Sequence, residues 1–254
     1  REEVRKTGLE RVVIGLSGGI DSALAAAIAV QALDAHNVLG VLMPSDVSSP
    51  DSLDDAEELA EVLGIATLLK PIGPQVEAYF AGDPDANNVR RGNKMARERM
   101  SILYDLSARD GALVLGTSTK TELLLGYSTL HGDGAYALDP NGDLYKIQVY
   151  AMAEFYDLPE AVRTKAPSAD LWVGQVSEVE LGYGFHDLDR VLFLLVDQRL
   201  HPEEIIDMHV ERDFVEAVVR RMRWAQFKRS GPLFAKLSSR TVGIDFRYLR
   251  DWGT

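Results

Sequence analysis

The sequence predicts an α/β protein, a doubly wound and mostly parallel sheet flanked by helices. Short β-rich runs alternate with longer runs of helical character through the first half of the chain, the pattern of strands covered on both faces. The first strand, moreover, ends in a glycine turn that opens a helix, at the sheet edge where such folds bind ligands.

Arg11 to Leu16 (RVVIGL) reads as a buried strand and residues 20 to 34 as an apolar helix. Strand Val38 to Met43 follows, then helix 51 to 63, strand Ala66 to Lys70 and helix 72 to 80. Ala81 to Asn93 (AGDPDANNVRRGN) is a polar break rich in Gly, Pro and Asn. After a further helix, Ala112 to Thr117 (ALVLGT) reads as a strand. Lys165 to Gly182 is a second irregular stretch, and loops of that length carry function or move. From Phe185 the pattern is mainly helical, ending in a tail whose Phe246, Tyr248 and Trp252 are expected to pack onto the body. The expectation is one domain over residues 1–254, with an α/β core at about 8–165 and a helical extension at about 183–254.

With 254 residues, 46% of them hydrophobic and 26% charged, the chain can bury one substantial core. No apolar run approaches the roughly 20 residues that span a bilayer, and the polar start lacks a signal-peptide core, so a soluble, cytoplasmic protein without a membrane partner is expected. Arg1 in place of an initiator Met leads us to expect that the natural chain starts upstream. A net charge of −12 repels polyanions and argues against broad nucleic-acid binding. The chain has no cysteine, which excludes disulfides, thiolate metal sites and the thiol nucleophile that glutamine-hydrolysing domains use. If it handles nitrogen, free ammonia is the expected source, and no glutaminase domain is expected.

Ser17 to Ser22 (SGGIDS) sits where the first strand turns into its helix. Glycines let the backbone N–H groups approach a ligand closely, and the helix N-terminus adds partial positive charge, so the turn is a phosphate cradle. Neither the G-x-x-x-x-G-K-[ST] nor the G-x-G-x-x-G spacing is present, and the pattern suits pyrophosphate. Asp21 stands beside that anion. Two like charges about 4 Å apart repel by roughly 4 kcal/mol at an effective dielectric near 20. A bridging Mg²⁺, which takes one or two carboxylates plus phosphate oxygens, removes the conflict. The plainer reading is a glycine turn with Asp21 as a helix N-terminal charge.

Glu122, near the start of the helix after ALVLGT, falls at the same sheet edge, so Asp21 and Glu122 could share one magnesium. Lys146, between Tyr145 and Ile147, needs a partner among apolar neighbours, and a phosphate is expected. Arg90, Lys94 and Arg97 recur at helical spacing opposite the apolar stripe of Met95, Ile102 and Leu106, giving either a phosphate-holding or a solvated basic face. The five histidines show no metal-ligand spacing; His131 lies in the G-D-G turn.

SGGIDS resembles the signature of the ATP-pyrophosphatase, or PP-loop, enzymes, which have a Rossmann-like fold and activate a carbonyl by transferring AMP from ATP. A second stretch resembles the ammonia-dependent NAD synthetases within that group: Gly116, Thr117 and Glu122, then Gly126, Tyr127 and Thr129, then Gly132, Asp133 and Gly134. GNKMARERM (Gly92 to Met100), PSADLWVGQ (Pro167 to Gln175), ELG (Glu180 to Gly182) and FKRSGP (Phe227 to Pro232) agree in the same order. The resemblance implies amidation of deamido-NAD by ammonia through an adenylated intermediate, with ATP as co-substrate, Mg²⁺ as cofactor and a homodimer as the assembly. Position by position it implies that Gly15, Leu16, Ser17, Gly18, Gly19, Ile20, Asp21 and Ser22, with Thr117, Lys146 and Ser168, contact ATP. Asp21 and Glu122 would hold the metal, and Asn93, Arg97, Asp133, Phe227 and Lys228 would meet deamido-NAD. Asp21, Glu122, Lys146 and Asp133 would be the catalytic groups, Asp133 as the base for ammonium. The sequence departs from the family pattern at Leu130, where Lys is usual, at Ala137, near an expected acid, at Phe227, where His is usual, and at Ser177, where Asp is usual. Two alternatives remain at this stage: a PP-loop enzyme adenylating another acid or a tRNA base, and a non-catalytic nucleotide sensor.

Overall fold

The computed structural model describes residues 1–246 other than 173 and 243. After a short helix α1 (Glu2–Arg5), the chain enters β1 (Arg11–Leu16), α2 (Ile20–Leu33), β2 (Val38–Leu42), α3 (Pro50–Leu63), β3 (Ala66–Leu69), α4 (Gly73–Phe80), α5 (Asn88–Asp110) and β4 (Ala112–Val114). The four strands pair in parallel in the order β3-β2-β1-β4. The chain therefore builds outward from β1 to β3 and returns to add β4 on the other side of β1. That reversal opens a crevice at the carboxyl ends of β1 and β4, where ligands of open α/β sheets bind.

Strands β1, β2 and β4 carry apolar residues to both faces because both are covered, whereas the edge strand β3 is largely exposed. Ile14 and Leu16 join Leu24, Leu59 and Val149 in one core cluster, while Val13, Val41 and Val114 join Val76, Met95 and Leu103 in another on the opposite face. Helix α2 lies against the sheet through small residues, with Ala23, Ala25, Ala26 and Ala29 buried. The later helices are α6 (Lys120–Leu125), α7 (Lys146–Phe155), α8 (Glu160–Thr164), α9 (Ser177–Leu181), α10 (Phe185–Val196), α11 (Pro202–Asp207), α12 (Arg212–Trp224) and α13 (Gln226–Arg229). Leu125 and Tyr145 anchor a third cluster with Leu188, Leu192, Phe214 and Val218, which docks the C-terminal helices beside α6 and α7. Among the described residues no helix is long and apolar enough to cross a membrane.

The structure moves several expected boundaries. Residues 88–93 are helical rather than part of the polar break, because the Asn87 side chain accepts the Arg90 N–H at 3.0 Å and starts α5. The last strand stops at Val114; beyond it only Leu115 bridges to Leu138. Helix α9 interrupts the irregular stretch 165–182. Phe246 is 39% exposed and lies beneath Arg240 of the same tail. Tyr248 and Trp252 lie outside the described residues.

Candidate active site

The turn after β1 is shaped by its own hydroxyls. Ser22 Oγ donates to the Gly19 carbonyl at 2.9 Å and accepts the Ser17 N–H at 3.3 Å, closing the loop onto the first turn of α2. Gly19 is the N-cap residue and supplies no side-chain cap, so the leading N–H groups of α2 remain available to an anion. Gly18 adopts φ +72, and a Cβ there would stand 2.2 Å from the Ser52 carbonyl oxygen. Gly18 is thus required by backbone conformation and by the approach of α3. It does not line the cavity, although its neighbours from Gly15 to Ser22 do.

Three ionisable groups meet at the mouth of this cradle. Asp21 stands in the first turn of α2, and Glu122 in the first turn of α6. Glu122 closes a capping box with Thr119, whose N–H it receives on Oε2 at 2.8 Å. Its other oxygen, Oε1, faces Lys146 Nζ at 3.7 Å, and Lys146 Nζ reaches Asp21 Oδ2 at 2.5 Å. Lys146 is only 1% exposed. Burial opposes its ammonium, but the two carboxylates outweigh that cost and raise its pKa. Burial in turn pushes the Glu122 carboxyl up, against the pull of Lys146. The expected phosphate partner of Lys146 is therefore replaced, in the protein alone, by two carboxylates that need a counter-charge in a dry site.

The three groups carry a net negative charge when ionised, and Asp21 Oδ1 is buried with no hydrogen-bond partner. An orphaned carboxylate oxygen beside a second carboxylate is a donor set that suits Mg²⁺ completed by phosphate oxygens. Among the described residues no cluster of three or more metal-ligating side chains exists.

The cavity that contains these groups measures about 640 Å³. It runs from the cradle past Thr117 and Ser168 to Asn93, Asp133 and Lys228. Asp133 presents its carboxylate to the open cavity and accepts the Thr129 N–H on Oδ1 at 2.8 Å; the surrounding protein raises its pKa. Asn93 Oδ1 accepts the Thr129 hydroxyl at 2.7 Å, which ties α5 to the same loop. Lys228 Nζ donates to the carbonyls of Gly126, at 2.7 Å, and Ser128.

Two expected residues are not brought into this cavity. Arg97 is exposed and donates from Nε to the Leu130 carbonyl at 3.1 Å, and Phe227 is 60% exposed at the start of α13. On the basic face around Arg97, Arg90 pairs with Asp83 and Lys94 with Glu98, both within 2.6 Å. Position on α5 explains this, since the cavity faces the buried stripe rather than the basic one.

Three lining residues escaped the sequence reading. Arg99 donates from Nε to the Met43 carbonyl at 3.0 Å, and burial lowers its pKa despite the nearby Asp170 and Asp133. A signal existed, because Arg99 interrupts the apolar run of Met95, Ala96, Met100 and Leu103 at helical spacing. Lys165 binds Asp55 at 2.6 Å and Ser52 at 3.0 Å, fastening the loop after α8 to α3. Arg221 reaches the Leu125 carbonyl from α12, and nothing in local sequence marks it.

The NAD synthase family model matches residues 1–232. The NH(3)-dependent NAD(+) synthetase of Chlorobaculum tepidum is 50% identical over 252 residues, covering 99% of this chain and 91% of the relative. Among solved structures, the NH3-dependent NAD synthetase from Campylobacter jejuni superposes with a TM-score of 0.78 at 34% identity, covering 92% of this chain and 93% of that one. The NMN synthetase from Francisella tularensis superposes with a TM-score of 0.82 at 33% identity and the same coverage. From its residues, its fold and its relatives, the chain belongs to the NAD synthase family.

Proposed function

We propose that this protein amidates the nicotinate carboxylate of deamido-NAD with ammonia at the expense of ATP, releasing AMP and pyrophosphate. The observation that carries the reading is the Asp21, Glu122 and Lys146 cluster at the mouth of a helix N-terminal cradle, in one cavity with Asp133.

A carboxylate is a poor acyl donor because oxide would have to leave. In the first step a nicotinate oxygen attacks the α-phosphorus, the new P–O bond forms and pyrophosphate departs. The amides of Ile20, Asp21 and Ser22 stabilise the negative charge gathered on the phosphates, and the buried Lys146 ammonium adds to them. In the second step ammonia attacks the adenylated carboxyl carbon, the C–O bond to AMP breaks, and the amide forms. Asp133, which lines the cavity, takes the proton that ammonium must lose. Asp21 through Oδ1 and Glu122 through Oε1 are the residues that would hold Mg²⁺ together with phosphate oxygens. The ion would supply charge neutralisation at the leaving pyrophosphate.

We also propose that the active assembly is a homodimer. Arg97 and Phe227, which the family pattern assigns to the dinucleotide, stand outside the cavity of a single chain, as a site completed by a second copy would have them. Light scattering at working concentration should report a mass twice that of the chain; a fully active monomer would refute it.

The likeness to the NMN synthetase favours a second reading, in which nicotinic acid mononucleotide is the acid. NAD and AMP should appear in equal amounts from deamido-NAD, ATP, Mg²⁺ and ammonium chloride, with the mononucleotide and glutamine tested as replacements. Higher kcat/KM with the mononucleotide would transfer the assignment to the second reading, and ATP binding without AMP from either acid would defeat both.

A further inference from the structure

A buried carboxylate that the reaction does not use links the helices carrying Lys146 and Glu122. Asp189 lies in α10, is 1% exposed, and does not itself line the cavity. Its Oδ2 accepts the Ile147 N–H at 2.8 Å, in the first turn of α7. Its Oδ1 accepts the hydroxyl of Thr121 at 2.5 Å, in the first turn of α6. Thr121 Oγ1 then accepts the Lys146 N–H at 3.0 Å. Ile147 follows Lys146 in sequence, and Thr121 precedes Glu122.

We propose that Asp189 is a positioning residue that sets the Lys146 ammonium between Asp21 and Glu122. An acid from the helix's own N-cap would stabilise α7 without locating it. This acid comes from a third helix: it accepts the Ile147 N–H of α7 directly and, through the Thr121 hydroxyl that accepts the Lys146 N–H, fixes the start of α7 against α6. The C-terminal helices thereby act on the chemistry through one side chain. Leu188 and Leu192 flank Asp189 in the core cluster that holds α10 against Leu125 and Tyr145, so the carboxylate sits on a rigid support. Burying it is tolerable because both oxygens receive donors. Lys146 Nζ lies 2.5 Å from one carboxylate and 3.7 Å from the other. A shift of the α7 start by an ångström would exchange those contacts.

Because the inference rests on the proposed reaction, its test pairs kinetics with a readout that needs no turnover. Asp189→Ala should lower kcat for AMP formation by about 30-fold or more and leave KM for ATP within about threefold, as misplacement of a catalytic group does. Asp189→Asn, which keeps an acceptor for the Ile147 N–H, should recover most of the loss. In a Lys146→Met background Asp189→Ala should cost less than about threefold more, since residues acting as a unit are not additive. Acetic anhydride labelling followed by mass spectrometry should show Lys146 of folded Asp189→Ala reacting at least about tenfold faster, with Lys120 unchanged. If Asp189→Ala fails to fold, Thr121→Val, which removes the same link, takes its place in both measurements. Multiplying effects in the Lys146→Met background, or equal labelling of Lys146 in variant and parent, would overturn the proposal. Should the parent make no AMP, the function falls while the labelling contrast still decides the role of Asp189.

Discussion

The two ends of the cavity differ in how far one chain completes them. At the cradle end the turn hydroxyls close on themselves, Gly18 meets the α3 backbone, and Asp21, Glu122 and Lys146 are already gathered within 4 Å contacts. At the far end Lys228 and Arg221 donate to backbone carbonyls of residues 125–128, and Arg97 and Phe227 face away. Charge at the cradle is preorganised for one ligand, whereas charge at the far end is committed to holding a loop. The first arrangement favours rate, because groups fixed before binding need not reorganise during reaction. Under the proposed function the second governs affinity, because cations that must change partners when a dinucleotide arrives bind it at a cost.

Variants at the two ends should therefore fail differently. The largest effect is expected for Lys146→Met, with kcat for AMP formation falling about 10²- to 10³-fold, the loss seen when one preorganised donor is removed. Steady-state assays over a matrix of ATP and deamido-NAD concentrations would check it. A comparable rise in KM with unchanged kcat would mean that Lys146 only binds. At the other end, Lys228→Met should raise KM for deamido-NAD about tenfold, roughly 1.4 kcal/mol, while changing kcat less. An equal fall in kcat would erase the distinction between the ends, and would place Lys228 in contact with the reacting groups.

The sequence made the cradle end legible because its chemistry is local. SGGIDS lies at one strand-to-helix turn, and Glu122 stands near the start of the helix after ALVLGT, so position put both carboxylates at one sheet edge and the family resemblance gave Glu122 its role. Lys146 was legible as a buried cation but not in its pairing, since Asp21 is 125 positions away. A parallel sheet covered on both faces was implied by alternation; the strand order, with β4 beside β1, was not, because register between distant strands leaves no local mark. The far end was the least legible. Its cations act on carbonyls contributed by another helix, and backbone acceptors carry no sequence signal. Helical periodicity drew attention to Arg90, Lys94 and Arg97 and away from Arg99, the cation on the buried stripe.

Asp139 offers the smallest effect and a test of how rigidly the cradle end is built. The segment after Leu138 crosses back over the sheet edge. Asp139 accepts the Ser118 N–H on Oδ2 and the Asn141 N–H on Oδ1, each at 3.1 Å, while Asn141 Nδ2 donates to the Asp21 carbonyl at 2.8 Å. Burial pushes the Asp139 carboxyl up to about 6, and the two N–H donors only partly offset it. The folded protein thus holds the Asp139 proton more tightly than the unfolded chain does. Its stabilising contribution is complete below about pH 3.8 and is lost as pH rises through 6, by at most about 3 kcal/mol at 1.36 kcal/mol per unit. Asp139→Asn cannot titrate, and its amide nitrogen must face one of the two N–H donors, a penalty that does not vary with pH. Relative to the parent, the variant should therefore gain stability between pH 4 and about 7 and hold that gain above it, a change of a few degrees in Tm for a chain of this size. Thermal unfolding of both proteins across that range would show the two curves converging or crossing. Parallel curves would mean that Asp139 stays ionised throughout, and that the edge between β1 and β4 is wetter than its burial implies.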